Sequence, residues 1–329
     1  MKLKNIYLTL VIVLVVALAS CDEVSQPLKS TQTNSSLPNT PPTFRDSSTN
    51  YNVSKVLLED CMGHLCPNCP PAVIVGDGLI APSNSLSSHI VLMEDNIGGF
   101  TAVGPVTGLP DSAFEKDYRS VIGNAWGTIL FDANTVGYPF GMINRRGYTN
   151  SSQSVTDMLF PNWQDTIQNI LLATPQVTIN IHDSCWVPQR IIGVELQVTF
   201  KTAFPTGTYL LQTVIVQDSI IDWQKDNGSS SQFDTNFVHR NVLRGAFGNN
   251  SGGLTAGVSI PTSVSSVAGG TWTSYQTYDF ERGENGKAGG IGINPPWNMS
   301  HCYIVAFVYN SPSNAAPYQV VQAEMIKVE

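Results

Sequence analysis

The sequence predicts an α/β domain over residues 53–175 followed by an all-β sandwich over residues 176–329. Three observations predict it. An apolar run, Val56–Leu57–Leu58, leads through Glu59–Asp60 to the pair Cys66-Pro67-Asn68-Cys69, and Pro70–Pro71 then open a mainly apolar segment. A second apolar run, Ser88–Glu94, follows that segment. Strand, helix, strand is a βαβ unit, which makes the two strands parallel. From Gln176 onward the character changes to short runs of Val, Ile, Thr and aromatics separated by Gly, Ser, Asn and Pro, the pattern of an all-β sandwich.

Taken in order, the chain opens with Met1–Lys2–Leu3–Lys4, a basic segment, and then an apolar run from Ile6 to Ala19. Leu18–Ala19–Ser20–Cys21 closes it. Small residues before a cysteine at this spacing resemble a bacterial lipobox, which implies a signal peptide over residues 1–20 and a lipidated Cys21. The apolar run is short for a membrane span, which needs about 20 residues. Residues 21–52 are dense in Ser, Thr, Asn and Pro without hydrophobic period, so they read as a disordered tether. Asp22–Glu23 after the lipobox cysteine resemble the surface-export signals of some lipoproteins.

Val53–Asp60 then reads as a buried strand and Ala72–Leu79 as the body of the helix behind Pro70–Pro71, where the first turn has N–H groups to spare. Gly98–Asp111 reads as loop and Ser112–Trp126 as helical. Val136–Arg145 approaches a further strand, and Met158–Leu172 carries Trp163, Ile167 and Ile170 at helical spacing behind Pro161. Pro175 ends that helix and marks the boundary. Strands follow over Val177–Ile181, Ile191–Phe200, Tyr209–Ile221, Gly257–Ile260, Trp272–Phe280, Tyr303–Tyr309 and Tyr318–Val328. Asn249–Gly270 reads as a loop or irregular edge.

Cys66 and Cys69 are where the sequence states a chemistry. Behind a strand and at a helix N-terminus, two thiols three apart close a tight disulfide, and the helix dipole favours a thiolate on the first. Cys66, as the exposed member of such a pair, is the expected attacking sulfur and Cys69 the resolving one. The other reading is a permanent staple in an exported protein.

This order of elements, with Gly137–Tyr138–Pro139 some seventy residues later, resembles thioredoxin-like proteins. The resemblance implies that Pro139 is a cis proline packed against the dithiol. A wider resemblance rests on Val56–Pro70, Gly-Tyr-Pro-Phe-Gly-Met-Ile-Asn-Arg at 137–145, Val-Gln-Asp-Ser-Ile at 216–220, Val-His-Arg-Asn-Val-Leu-Arg at 238–244 and Ile-Val-Ala-Phe-Val-Tyr-Asn at 304–310. These look like the outer membrane protein 28-related lipoprotein family. That similarity implies an outer-membrane lipoprotein with an α/β thioredoxin-like domain followed by an immunoglobulin-like β-sandwich, and it implies no substrate.

Cys61 and His64 depart from the thioredoxin-like pattern. Cys61 is a small core residue at a strand end, a third redox thiol, or a lock that bonds one of the pair and disables the site. His64 either raises the thiolate fraction of Cys66 or is a solvated turn residue. In the β-region, Cys185 and Cys302 are expected to form a structural disulfide, the alternative being two separate buried thiols.

The 13% of charged residues and formal net charge of −8, with no Lys/Arg cluster, argue against nucleic-acid binding. No cofactor motif is present, and His239, Arg240 and Arg244 near Asp218, Asp222 and Asp226 lack metal-ligand spacing. Trp223, Trp272 and Trp297 are either core residues or a binding face. The expected partners are the membrane, through lipid on Cys21, and a protein disulfide or a surface ligand. Two functions stand from these readings: a non-catalytic envelope or surface module, and an envelope thiol–disulfide oxidoreductase.

Overall fold

A computed structural model describes residues 44–46, 48, 50–131, 137–147, 159–186, 190–248, 257–280 and 298–328. The signal peptide, Cys21, most of the tether and Trp297 lie outside the described residues. Among those described, the fold is mixed α/β, with strands far outnumbering helical residues, and no helix is long and apolar enough to cross a membrane.

The βαβ unit forms as expected. Strand β2 (Val56–Met62) pairs in parallel with β3 (Ile90–Asn96), in register from Val56↔Ile90 to Met62↔Asn96. Helix α1 (Pro70–Ile80) is the crossover, with Pro at its first positions and Ala72, Val73, Gly76 and Leu79 buried against the sheet. Strand β4 (Phe140–Ile143) lies antiparallel on the other edge of β2. Helix α2 spans Val121–Ile129, shorter than the expected Ser112–Trp126. Ser120 stops it from starting earlier: its backbone is extended and its side chain accepts from Gly123 N at 2.9 Å, a helix N-cap. Helix α3 (Trp163–Leu171) places Trp163 and Ile167, one turn apart, in the core. Gly141 makes room for Trp163, because a Cβ there would lie 2.5 Å from the indole.

The β-rich segment supplies a second layer. Strand β1 (Arg45–Asp46), β5 (Val177–Trp186), β6 (Ile191–Phe200) and β12 (Gly270–Asp279) form an antiparallel sheet in the order β1-β5-β6-β12; β1 falls within the expected tether of residues 21–52, whose end is instead ordered by pairing with β5. Strands β7 (Tyr209–Gln217), β10 (Val242–Ala246), β13 (Cys302–Asn310) and β14 (Val320–Lys327) do not form a closed second sheet of their own. They continue the sheet of the βαβ unit, giving the order β14-β13-β7-β10-β3-β2-β4, with β11 (Val258–Ile260) on β7. The join is β10 against β3, parallel, at Val242↔Glu94.

The boundary expected at 175/176 therefore separates two sequence patterns but not two bodies. One core packs Leu57, Val91, Trp126 and Phe140 from before it with Val214, Val216, Leu243 and Phe307 from after it. A second core fills the sandwich between β5–β6 and β7–β13, and a third packs α1 and α3 on the remaining face of β2–β3. A hairpin, β8 (Ile220–Lys225) with β9 (Phe233–His239), stands off as a sheet of its own.

Candidate functional site

The site is built at the C-terminal ends of β2 and β3, where open α/β sheets place their chemistry. From Met62 the chain turns through Gly63–Leu65 into the dithiol loop. Leu65 N donates to Phe100 O at 2.9 Å, and Cys66 N to Gly63 O at 2.8 Å. Only glycine fits at position 63, since a Cβ would sit 2.5 Å from the Phe100 carbonyl oxygen. Cys66 and Cys69 form a disulfide with Cα atoms 5.5 Å apart. The Tyr138–Pro139 peptide is cis, as the thioredoxin-like resemblance implies, and Tyr138 packs against the cluster of Met62, Cys66, Cys69 and Val73.

Two expectations about this loop fail on the structure. Cys66 is not exposed; it is 1% accessible, and Cys69 is wholly buried. The reason is tertiary. The β8–β9 hairpin lies over the loop: Gln224 Nε2 donates to Cys66 O at 2.9 Å, Lys225 N to His64 O at 2.8 Å, Asn227 N to Pro67 O at 2.9 Å and Asn227 Nδ2 to Asn68 Oδ1 at 2.8 Å. Phe237 of the hairpin packs on the disulfide cluster. The helix N-terminus is also a poor thiolate site. Cys69 is the N-cap of α1, and Pro70 and Pro71 lack the N–H groups that would face an anion there.

His64 is neither a solvated turn residue nor a charge for Cys66. It is 1% exposed, its Nε2 lies 2.9 Å from Ala102 O, and its ring meets Phe114 and Tyr118 edge-on. Burial pushes its pKa down, so the neutral ring is favoured. Cys61 is a core residue. It alternates with Met62, so it faces Leu57 and Met93 on the other side of the sheet from the disulfide, and burial pushes its thiol pKa well up. Cys185 and Cys302 carry thiols and do not share the expected bridge. Cys302 starts β13, and its Sγ turns to Asn298 O at 3.3 Å instead; burial pushes its pKa up to about 12. Trp223 packs edge-on against Phe114 and Phe233, and Trp272 packs on the sandwich core, so these two do not make a shared binding face.

Sequence reasoning missed the polar side chains beneath the loop. Asp60, six positions before Cys66, is 3% exposed and lines a small cavity with Val73, Asp77, Leu92, Glu94 and Arg240. Burial, and then the charges of Glu94 and Asp77, push its pKa well above the usual carboxylate range. Asp77 is pushed up to about 6, chiefly by burial and against the pull of Arg240. Glu94 Oε1 accepts from Asn96 Nδ2 at 2.6 Å and lies 3.4 Å from His239 Nδ1, while Arg240 Nη1 reaches Asp218 Oδ2 at 3.3 Å. Tyr118 donates to Asp222 Oδ2 at 2.7 Å. His239 thus ties the hairpin to Glu94 of β3, and Asp222 ties it to Tyr118 in the segment before α2. Among the described residues no group of acidic, His and Cys side chains is arranged to hold a metal. The position of Asp60 in the strand was readable as a signal; Gln224 carried none.

No family model matches the chain, and no curated protein matches it. Among solved structures the chain is similar to HBP35 of Porphyromonas gingivalis, with a TM-score of 0.56 at 11% identity over 84% of this chain and 76% of that one. A protein of Agrobacterium tumefaciens gives a TM-score of 0.46 at 10% identity, covering 84% of this chain and 96% of that one. A domain of the outer membrane lipoprotein Omp28 from Porphyromonas gingivalis gives 0.27 at 14% identity, covering 48% and 91%. At such identity the first likeness shows a shared fold alone, and the other two superpose too loosely to carry an argument.

Proposed function

We propose that this chain is a cell-envelope protein, lipid-anchored in the outer membrane, in which a thioredoxin-like scaffold and an immunoglobulin-like sandwich form a non-catalytic surface or interaction module. The anchor reading rests on the lipobox-like Leu18–Ala19–Ser20–Cys21, and the outer-membrane reading on the motif resemblance. The observation that carries the non-catalytic reading is the cover over the disulfide: Cys66 is 1% exposed beneath the β8–β9 hairpin, so no substrate disulfide can reach its sulfur in this conformation. An attacking thiolate needs access and an electropositive setting. This loop has the first blocked and the helix N–H groups reduced by Pro70–Pro71.

The test is a disulfide-reductase assay on the mature chain alongside a reduction potential for Cys66–Cys69. A potential below about −300 mV with no turnover is expected of a staple. Turnover that vanishes in Cys66→Ser would instead establish the oxidoreductase reading. Lipid labelling of wild type and Cys21→Ser tests the anchor, and protease shaving of intact cells reads which face of the membrane the protein occupies.

A further inference from the structure

We propose that the β8–β9 hairpin is a latch on the dithiol loop, and that Gln224 and Asn227 set how often the Cys66–Cys69 disulfide becomes open to an external thiol. The inference deepens the reading of a guarded staple and rests on it.

The hairpin is suited to move as a unit. Among the described residues it pairs with no other sheet, and its strands bond in ladder fashion only to each other. Its hold on the loop combines local hydrogen bonds with one apolar contact, Phe237 on the disulfide cluster. Lys225 N–H and Asn227 N–H, two residues apart, donate to the carbonyls of His64 and Pro67. Lys225 ends β8 and Asn227 opens the turn at the hairpin tip, so these two donors grip the loop at the one end of the hairpin that is free of its base.

Gln224 is the inner bolt. It is wholly buried, and its Nε2 serves Cys66 O at 2.9 Å, Lys225 O at 3.0 Å and Gly63 O at 3.4 Å. Asn227 is the outer one, at an exposed tip, reaching Asn68 between the two cysteines. Phe237 seals the side of the disulfide cluster. The far end stays anchored through Tyr118–Asp222 and His239–Glu94, so the tip can lift without loss of the base.

With the latch lifted, a dithiol reagent reacts in balanced steps. Its thiolate attacks one sulfur of the Cys66–Cys69 bond. The S–S bond breaks, and the other cysteine leaves as a thiolate and takes up a proton. The second thiol of the reagent then attacks the mixed disulfide, closing the reagent's own disulfide and releasing the remaining cysteine as a thiol. Two electrons and two protons pass from the reagent to the protein.

The experiment follows reduction of the mature chain by dithiothreitol in native buffer, read by alkylation and mass. Wild type, Gln224→Ala and Asn227→Ala are compared, and wild type is repeated across low urea. Local opening predicts that Gln224→Ala is reduced roughly tenfold faster and Asn227→Ala several-fold faster, since each loses hydrogen bonds made only in the closed state. It also predicts a wild-type rate with a shallow urea dependence. Equal rates in all three chains overturn the latch. So does a wild-type rate that climbs with urea as steeply as global unfolding does. If Gln224→Ala does not fold, Asn227→Ala decides alone, because its side chain is at the exposed tip. Failure of the non-catalytic reading has a different signature, multiple turnover of a substrate disulfide by wild type, which this stoichiometric assay does not read.

Discussion

Strands β2–β3 and β5–β6 bury very different chemistry. β2 and β3 are buried along their whole length and carry Glu59, Asp60, Glu94 and Asp95, each 3% exposed or less. β6 alternates instead, with Ile192, Val194, Leu196, Val198 and Phe200 inside and Gln197 out. A parallel pair covered on both faces has no solvent side on which to put a charge, whereas an antiparallel pair with one wet face does. The sandwich is accordingly held by apolar area. The β2–β3 region must instead match each charge with a partner or a proton, and that is also where the dithiol sits.

The largest expected effect comes from breaking the deepest of those matches. Arg145 and Glu59 are both wholly buried and paired, with Arg145 Nε 2.8 Å from Glu59 Oε2 and its guanidinium 4.1 Å from the Trp126 ring centroid. Arg145→Ala leaves an uncompensated carboxylate and removes the stacking, so urea unfolding should show a loss of about 3–5 kcal/mol. Leu196→Ala in the sandwich leaves only a cavity, a loss of about 3 kcal/mol by the same measurement. If the two losses came out in the reverse order by a clear margin, the contrast between charge-matched and apolar regions would fail.

Replacing both Cys66 and Cys69 by Ser should remove about 2 kcal/mol, because the disulfide closes a loop of only a few residues. The same pair of substitutions should leave the unfolding of the sandwich core cooperative with the rest, since one sheet runs through both. Two separated transitions would show that the β3–β10 join does not couple them.

The smallest effect is a pH slope. Asp60 and Asp77 hold protons in the folded chain that the unfolded chain has released. Native protein then binds more protons, so stability falls as pH rises above 3.8, for Asp77 until about 6. His64 works in the opposite sense: its depressed pKa gives stability that is lost as pH falls below 6.5. Asp60→Asn should therefore raise the melting temperature at pH 7, with the gain shrinking toward pH 4. Thermal melts across that range check it; a gain that does not shrink on acidification would mean that the carboxyl proton is not the cause.

Much of this was legible in the chain. The alternation of Ile192 to Phe200 names its strand and its inward face, because the side-chain period of two is visible when one face is wet. The run Val56–Met62 names a strand but not a face, since residues on both sides are buried. That is why Cys61 stayed ambiguous until its neighbour Leu57 placed it across the sheet from the disulfide. The Cys185–Cys302 expectation failed because oxidising context and strand placement do not specify where two sulfurs point.

By itself the sequence determined the βαβ unit, the dithiol and the helix-opening prolines, for these depend on local spacing and on residues with few backbone options; the cis proline at 139 came only from the thioredoxin-like resemblance. Only the tertiary structure decided whether that dithiol can react. A hairpin some 150 positions downstream closes over Cys66, and Gln224 meets its carbonyl across a sequence separation of 158. Contacts at that range leave no periodicity or motif in the chain, because they are made by whichever side chain the completed sheet brings to the spot.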